Sequence, residues 1–124
     1  MHDSLYEAVG GESFFRDLVD AFYAGVEAEP LMREMYPQDL TESKDHLTLF
    51  LIQYWGGPTR YEQQRGHPRL RMRHEPFHIN RAARDAWLAA MYAALDSLDG
   101  RVTSEQRETL WSYFESAANQ LRNV

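Results

Sequence analysis

The sequence predicts an all-α fold, and three observations carry that expectation. Apolar residues recur at intervals of three and four along most of the chain, no run alternates with period two, and capping residues stand at the starts of the periodic segments. One domain, residues 1–124, is expected from the length; a chain of this size buries about two-thirds of its unfolded surface and supports one real core. Four substantial helices and one long, interrupted connection are expected.

Ser4 followed by Glu7 is a capping-box pattern ahead of a short turn that Gly10-Gly11 stops. From Glu12 the residues Phe15, Leu18, Val19, Phe22, Tyr23 and Val26 mark one face of a helix until Pro30 intervenes. The next helix runs from about Thr41 to Trp55 with Leu47, Phe50, Leu51 and Tyr54 on its stripe, and Gly56-Gly57-Pro58 ends it. Asn80 can cap a third, striped by Trp87, Leu88, Met91, Tyr92, Leu95 and Leu98. Thr103 with Gln106 starts the fourth, striped by Leu110, Trp111, Phe114, Ala117 and Leu121. Between them, residues 56–80 hold three prolines and three glycines, and Arg69 to Glu75 is the only part expected to make a turn or two of helix.

Composition narrows the class. Hydrophobic residues make up 44% and charged residues 26%, which suits a globular chain and argues against disorder or a collagen-like repeat. No stretch approaches the roughly 18 apolar residues that a membrane span needs. Cysteine is absent, which removes disulfides, thiolate metal sites and a cysteine nucleophile, and fits a reducing compartment. The opening Met-His-Asp-Ser does not read as a signal peptide, so a cytoplasmic location is expected.

The formal charge of −6 is uneven: residues 1–55 carry 11 acids and 3 bases, residues 56–124 carry 8 acids and 10 bases. Arg60, Arg65, Arg69, Arg71 and Arg73 crowd into the long connection, beside three of the five histidines, His67, His74 and His78. Such a cluster reads either as a solvated surface or as an anion site. Nucleic acid is disfavoured as the anion, because the rest of the chain is acidic. Long structureless connections in compact domains tend to be functional.

Familiar enzyme constellations are missing. The sequence has no G-x-G-x-x-G, no P-loop, no H-E-x-x-H pair and no nucleophile elbow. A lone histidine on a short helix becomes a metal ligand, however, once a cofactor brings the remaining ligands, as haem does. His74 lies on such a stub, precedes Pro76, and has arginines nearby that could face propionates; a plain surface histidine is the alternative. Tyr23 and Trp87 each fall on the apolar stripe of their helix, where a polar tip needs a partner and core packing is the alternative.

The stretches Tyr54-Trp55-Gly56-Gly57-Pro58 and Gln64-Arg65-Gly66-His67-Pro68-Arg69-Leu70-Arg71-Met72-Arg73-His74 closely resemble the group II truncated haemoglobins, the O-type of actinobacteria. Further blocks agree: Tyr6-Glu7-Ala8-Val9-Gly10-Gly11, Phe22-Tyr23, Met35-Tyr36-Pro37 and Asp85-Ala86-Trp87-Leu88. The resemblance implies a shortened globin, a two-over-two helical sandwich around haem b. It implies that His74 is the proximal iron ligand, and that Tyr23, Tyr36 and Trp87 are the polar aromatics on the distal side. Leu47 and Phe50 match apolar distal-helix positions, and Ser43 matches the small residue that faces the ligand there. His46 stands where a basic residue commonly lies near the propionates, and a histidine is neutral or charged near pH 7 according to its surroundings. Met72, Met91 and Leu95 are expected in the haem pocket or the plain core. Tyr61 and the arginines 65, 69, 71 and 73 are candidates for propionate or loop contacts.

Three functions follow as hypotheses. The first is a haem protein that binds dioxygen, carbon monoxide or nitric oxide at a five-coordinate iron, for oxygen transport, sensing or chemistry. The second is a redox enzyme on the same haem, by nitric oxide dioxygenation or peroxidase-like oxidation, which needs a separate reductase. The third is a haem-free helical interaction module, which would purify colourless.

Overall fold

The computed structural model describes residues 4–74, 77 and 79–124. The helices are α1 (Leu5–Ala8), α2 (Glu12–Ala28), α3 (Pro30–Arg33), α4 (Thr41–Tyr54), α5 (Arg60–Arg65), α6 (Leu70–His74), α7 (Arg81–Ser97) and α8 (Ser104–Leu121), with a 3-10 turn at Asp99–Arg101. The four long helices match the expected ones. Their starts are chemically explicit. Thr103 and Gln106 close a reciprocal box at 3.0 and 2.9 Å, and Asn80 Oδ1 accepts from the Ala83 N–H at 2.9 Å. Ser4 Oγ accepts from the Glu7 N–H at 3.2 Å.

Helix α2 packs on both α4 and α7, and α7 packs on α8, so the pairs α2–α4 and α7–α8 join through one shared face. Phe14, Phe15, Leu18, Phe22, Met91, Leu95, Leu110 and Phe114 are fully buried in that join. Each such side chain contributes about 1.5–3 kcal/mol of transfer free energy. Gly25 lets α2 approach α7 closely: a Cβ there would lie 3.1 Å from the Ala90 Cβ. Gly56 turns the chain after α4 with φ of +99°, and a Cβ there would meet the Ser4 Cβ at 2.6 Å. The turn seats α1, whose Tyr6 N–H donates to the Trp55 carbonyl at 3.0 Å.

Three expectations need correction. Pro30 does not merely stop α2; it opens α3, with the Glu29 side chain accepting from the Leu31 N–H at 3.1 Å. Proline suits a first helical position because its missing N–H would be unpaired there anyway. The connection contains α5 as well as α6. Only six residues long, α5 has no stripe to read and is anchored from outside: Tyr61 is buried against Phe50 at 5.6 Å, and Gln53 of α4 accepts from the Glu62 N–H at 2.8 Å. Two aromatics expected on inner stripes face outward: Tyr54 of α4 is 51% exposed and Tyr92 of α7 is 50% exposed. Tyr92 stacks edge-on against Trp111, with the Arg107 guanidinium 5.0 Å above its ring.

Candidate functional site

A cavity of about 410 Å³ opens among α2, α4, α7, α8 and the two short helices of the connection. Its shape is set by which face each element turns inward. On α6 the residues Leu70, Arg73 and His74, spaced by three and four, line the cavity. Met72 falls on the far side of that turn and is 53% exposed, so the pocket-or-core expectation for it is wrong. Met91 and Leu95 are buried in the core away from the cavity lining, which leaves the core half of their expectation. Leu47 and Phe50 of α4, Tyr61 of α5 and Trp87 of α7 all line the cavity as expected.

The His74 ring is held in one tautomer. Its Nδ1 lies 2.7 Å from the Leu70 carbonyl, which can only accept, so Nδ1 carries the proton. Nε2 is then the unprotonated nitrogen, with a lone pair available to a metal. The backbone after His74 is pinned by Asn123. The Asn123 amide donates to the Phe77 carbonyl at 2.8 Å, its Oδ1 accepts from the Ile79 N–H at 2.9 Å, and its own N–H donates to the Ile79 carbonyl at 2.9 Å. Among the described residues, no group of three His, Cys, Asp or Glu could hold a bare ion. A metal at His74 must bring most of its own ligands.

A second set of polar tips enters the same cavity. Tyr23 from α2, Tyr36 after α3, Ser43 from α4 and Trp87 from α7 meet there, with Tyr23 and Tyr36 edge-on at 5.4 Å. These tips lie near enough to one another to perturb the two phenols. Burial raises the Tyr23 pKa far above that of an ordinary phenol; Tyr36 reinforces the shift and Ser43 opposes it. Burial also raises Tyr36, against the opposing bonds from Tyr23 and Trp87. A hydroxyl has two acceptor sites and one proton. Each hydroxyl and the Trp87 indole N–H therefore brings one proton that can be donated into the cavity.

Cationic groups gather where the connection meets α4. Arg65 Nη1 lies 3.1 and 3.0 Å from the two ring nitrogens of His46, while Arg65 Nε is buried with no partner. Burial, and then the Arg65 charge, lower the His46 pKa, so His46 is neutral near pH 7 and accepts from the guanidinium. Arg73 is spent on the backbone, donating to the Pro68 and Arg65 carbonyls at 2.7 and 3.1 Å. Arg69 is exposed and His67 accepts from its N–H at 3.1 Å, so neither lines the cavity. The Arg71 side chain and His78 lie outside the described residues.

The sequence reading missed Asn123, Tyr113, Ile79, Ala83 and Arg84 at or behind this site. Ala83 stands one helical turn before Trp87, so extending that stripe would have found it. Tyr113 stands three residues after Leu110 and four before Ala117, so the α8 spacing would have included it; burial pushes its pKa up to about 12. Nothing in the sequence pattern distinguishes Asn123.

A model of the bacterial-like globin family matches residues 4–123. The chain belongs to the bacterial-like globin family. It is 42% identical to the group 2 truncated hemoglobin YjbI of Bacillus subtilis (strain 168) over 118 residues, 95% of this chain and 87% of that one. The solved hemoglobin of the phototrophic bacterium Chloroflexus aurantiacus superposes with a TM-score of 0.94 at 49% identity, covering 99% of this chain and 100% of the other. The truncated oxygen-avid haemoglobin of Bacillus subtilis does so with 0.91 at 41% identity, covering 98% and 100%. The pairing of α2–α4 with α7–α8 is thus the two-on-two arrangement of a truncated globin, and globin membership implies haem.

The residues fit that group on three counts. The cavity is mostly apolar, one imidazole nitrogen is free, and the partnerless Arg65 Nε offers a buried donor to a carboxylate such as a propionate.

Proposed function

We propose that this globin binds dioxygen and other small diatomics, carbon monoxide and nitric oxide among them, at a five-coordinate haem b. His74 is its sole protein ligand, and Tyr23, Tyr36 and Trp87 form its distal hydrogen-bonding set. The observation that carries this reading is the pairing, in one cavity, of a tautomer-fixed imidazole with the polar tips of Tyr23, Tyr36 and Trp87. When bound, haem supplies a ferrous centre with one open position for the diatomic.

The chain's residues do the rest. His74, oriented by Leu70, holds the group from one side. Arg65 meets a propionate, and His46 stays neutral beside it. Leu47, Phe50 and Tyr61 exclude water. Tyr36 and Trp87 donate to the partly negative ligand atom, with Tyr23 edge-on against Tyr36 in the same cavity. Donors aimed at a developing charge in a dry site favour dioxygen over the less polar carbon monoxide. A cytoplasmic place of action belongs to the same proposal; among the described residues no helix is long and apolar enough to cross a membrane.

A second reading is favoured by one observation, the chain of stacked aromatic rings from Trp87 and Tyr113 to the exposed Tyr54. It is an oxidative enzyme on the same haem, by nitric oxide dioxygenation or peroxidase-like turnover, served by a separate reductase.

The test is the absorption spectrum of the purified chain loaded with haem. A ferrous five-coordinate spectrum that converts to a stable oxygenated form supports the binding reading. A colourless protein that takes up no haem, or a ferrous form already six-coordinate through a second histidine, overturns it.

A further inference from the structure

We propose that Arg33 is a positioning residue for Tyr36: its guanidinium gathers three successive backbone carbonyls and so aims the Tyr36 hydroxyl into the cavity. The inference rests on the binding reading above and names a residue outside the cavity that sets the selectivity between gases.

Of the polar tips that enter the cavity, Tyr36 alone stands on no helix. Tyr23, Ser43 and Trp87 belong to α2, α4 and α7, whereas Tyr36 lies in the connection 34–40 between α3 and α4. A helix fixes the base of a side chain through its own ladder of hydrogen bonds. The base of Tyr36 must be fixed in another way.

Arg33 does this. Its Nη1 donates to the Tyr36 carbonyl at 3.3 Å and to the Pro37 carbonyl at 2.9 Å, and its Nη2 donates to the Gln38 carbonyl at 2.7 Å. The Arg33 carbonyl in turn accepts from the Tyr36 N–H at 3.3 Å. One residue therefore grips the Tyr36 backbone at both its N–H and its carbonyl. A guanidinium is a rigid planar fork of donors and can hold several acceptors in one mutual arrangement, which the point charge of an ammonium cannot. Among the described residues no acidic side chain pairs with Arg33, so its charge is directed at this connection alone.

Pro37 makes the connection depend on that grip. It brings no N–H of its own and fixes its φ, and it steers the backbone of Tyr36 away from the helical region. The tyrosine ring is a stiff lever, so a small turn of the backbone moves the hydroxyl further than it moves the Cα. A shift of about 1 Å takes a hydroxyl out of hydrogen-bonding range of its acceptor. The Pro37 and Gln38 residues are exposed, where water replaces a lost donor, and the fold therefore tolerates substitution of Arg33.

Dioxygen and carbon monoxide release are measured by stopped flow on the haem-loaded wild type, Arg33→Met, Arg33→Lys, Tyr36→Phe and the double variant Arg33→Met with Tyr36→Phe. Hydrogen exchange is followed beside them at the Met35 and Tyr36 amides, which donate to the Met32 and Arg33 carbonyls. Arg33→Met should speed dioxygen release by about three- to tenfold, with carbon monoxide release changing by less than about twofold. Arg33→Lys should show the same selective change at smaller size. Exchange at Met35 and Tyr36 should quicken in both variants while that of α2 stays as in the wild type. In the double variant, dioxygen release should match that of Tyr36→Phe alone, because Arg33 acts through that hydroxyl. Unchanged dioxygen release in both Arg33 variants, where Tyr36→Phe does accelerate it, overturns the positioning role alone. So does further acceleration in the double variant, or equal acceleration of both gases in the Arg33 variants. A Tyr36→Phe protein that releases dioxygen like the wild type overturns the distal-donor reading and this inference with it.

Discussion

The two sides of the cavity are built differently. Tyr23, Ser43 and Trp87 stand on α2, α4 and α7, whose fully buried neighbours Phe22, Leu51 and Phe114 fix them in the core. His74, Arg65 and Arg73 stand on helices of five and six residues. Helices that short are not stable by themselves. They are held by a few contacts: Arg73 to the Pro68 and Arg65 carbonyls, His74 to Leu70, Asn123 to Phe77 and Ile79, and, for α5, Tyr61 on Phe50 and Gln53 to the Glu62 N–H. One wall is therefore preformed by packing, and the other is completed by what binds. A ligand that bridges the two gives most of its stabilisation to the weaker wall.

The largest effect expected is at His74. His74→Gly should abolish stable haem incorporation, or leave haem that added imidazole rescues. His67→Ala, by contrast, removes an exposed ring that only caps the Arg69 N–H, and should leave haem binding intact. Equal loss of haem in the two variants would break the contrast between ligand and surface histidine.

The distal wall comes next. Tyr36→Phe removes the proton that faces the ligand, and a hydrogen bond to a charged acceptor is worth about 1.5–3 kcal/mol. Dioxygen release should then accelerate by about ten- to a hundredfold, with carbon monoxide release changing much less. Trp87→Phe should act in the same sense and less than additively with Tyr36→Phe, because the two donors share one acceptor. Stopped-flow release rates for both gases check this. Equal acceleration of both would mean that the aromatics gate the pocket by packing.

A smaller effect is expected at the edge of the proximal wall. Asn123→Ala leaves the Ile79 N–H and the Phe77 carbonyl without their side-chain partner, at a cost of about 1–3 kcal/mol. Denaturant unfolding of the haem-loaded protein measures the loss, and the iron–histidine stretching frequency tests whether His74 has shifted. Asn123→Asp, which keeps the acceptor for Ile79, should recover part of both. The smallest effect is electrostatic. The His46 pKa is lowered in the folded state, so the folded protein resists protonation there and loses stability as pH falls below the ordinary histidine value of about 6.5. His46→Gln should flatten that part of the stability profile.

The same contrast explains what the sequence made legible. Long helices announce themselves through stripes and caps, and so Tyr23, Trp87, Leu47 and Phe50 were found by periodicity and by the family resemblance together. The length of the connection and its cluster of arginines and histidines marked it as functional, and the resemblance selected His74 from its three histidines. Helix α5 left no period-3.6 trace, because Tyr61 and Gln53 fix it from outside its own sequence. Asn123 was invisible for a similar reason: its partners are 44 and 46 residues away. Met72 was misplaced because hydrophobicity alone does not tell the inner from the outer face of a single helical turn.

Hydrogen exchange on the haem-free and haem-loaded protein tests the central claim, that haem completes a wall which packing leaves unfinished. The amides of residues 60–74 and of Ile79 should gain far more protection on loading than those of α2 and α7. Uniform gain across both walls, or a proximal wall already protected without haem, would contradict it.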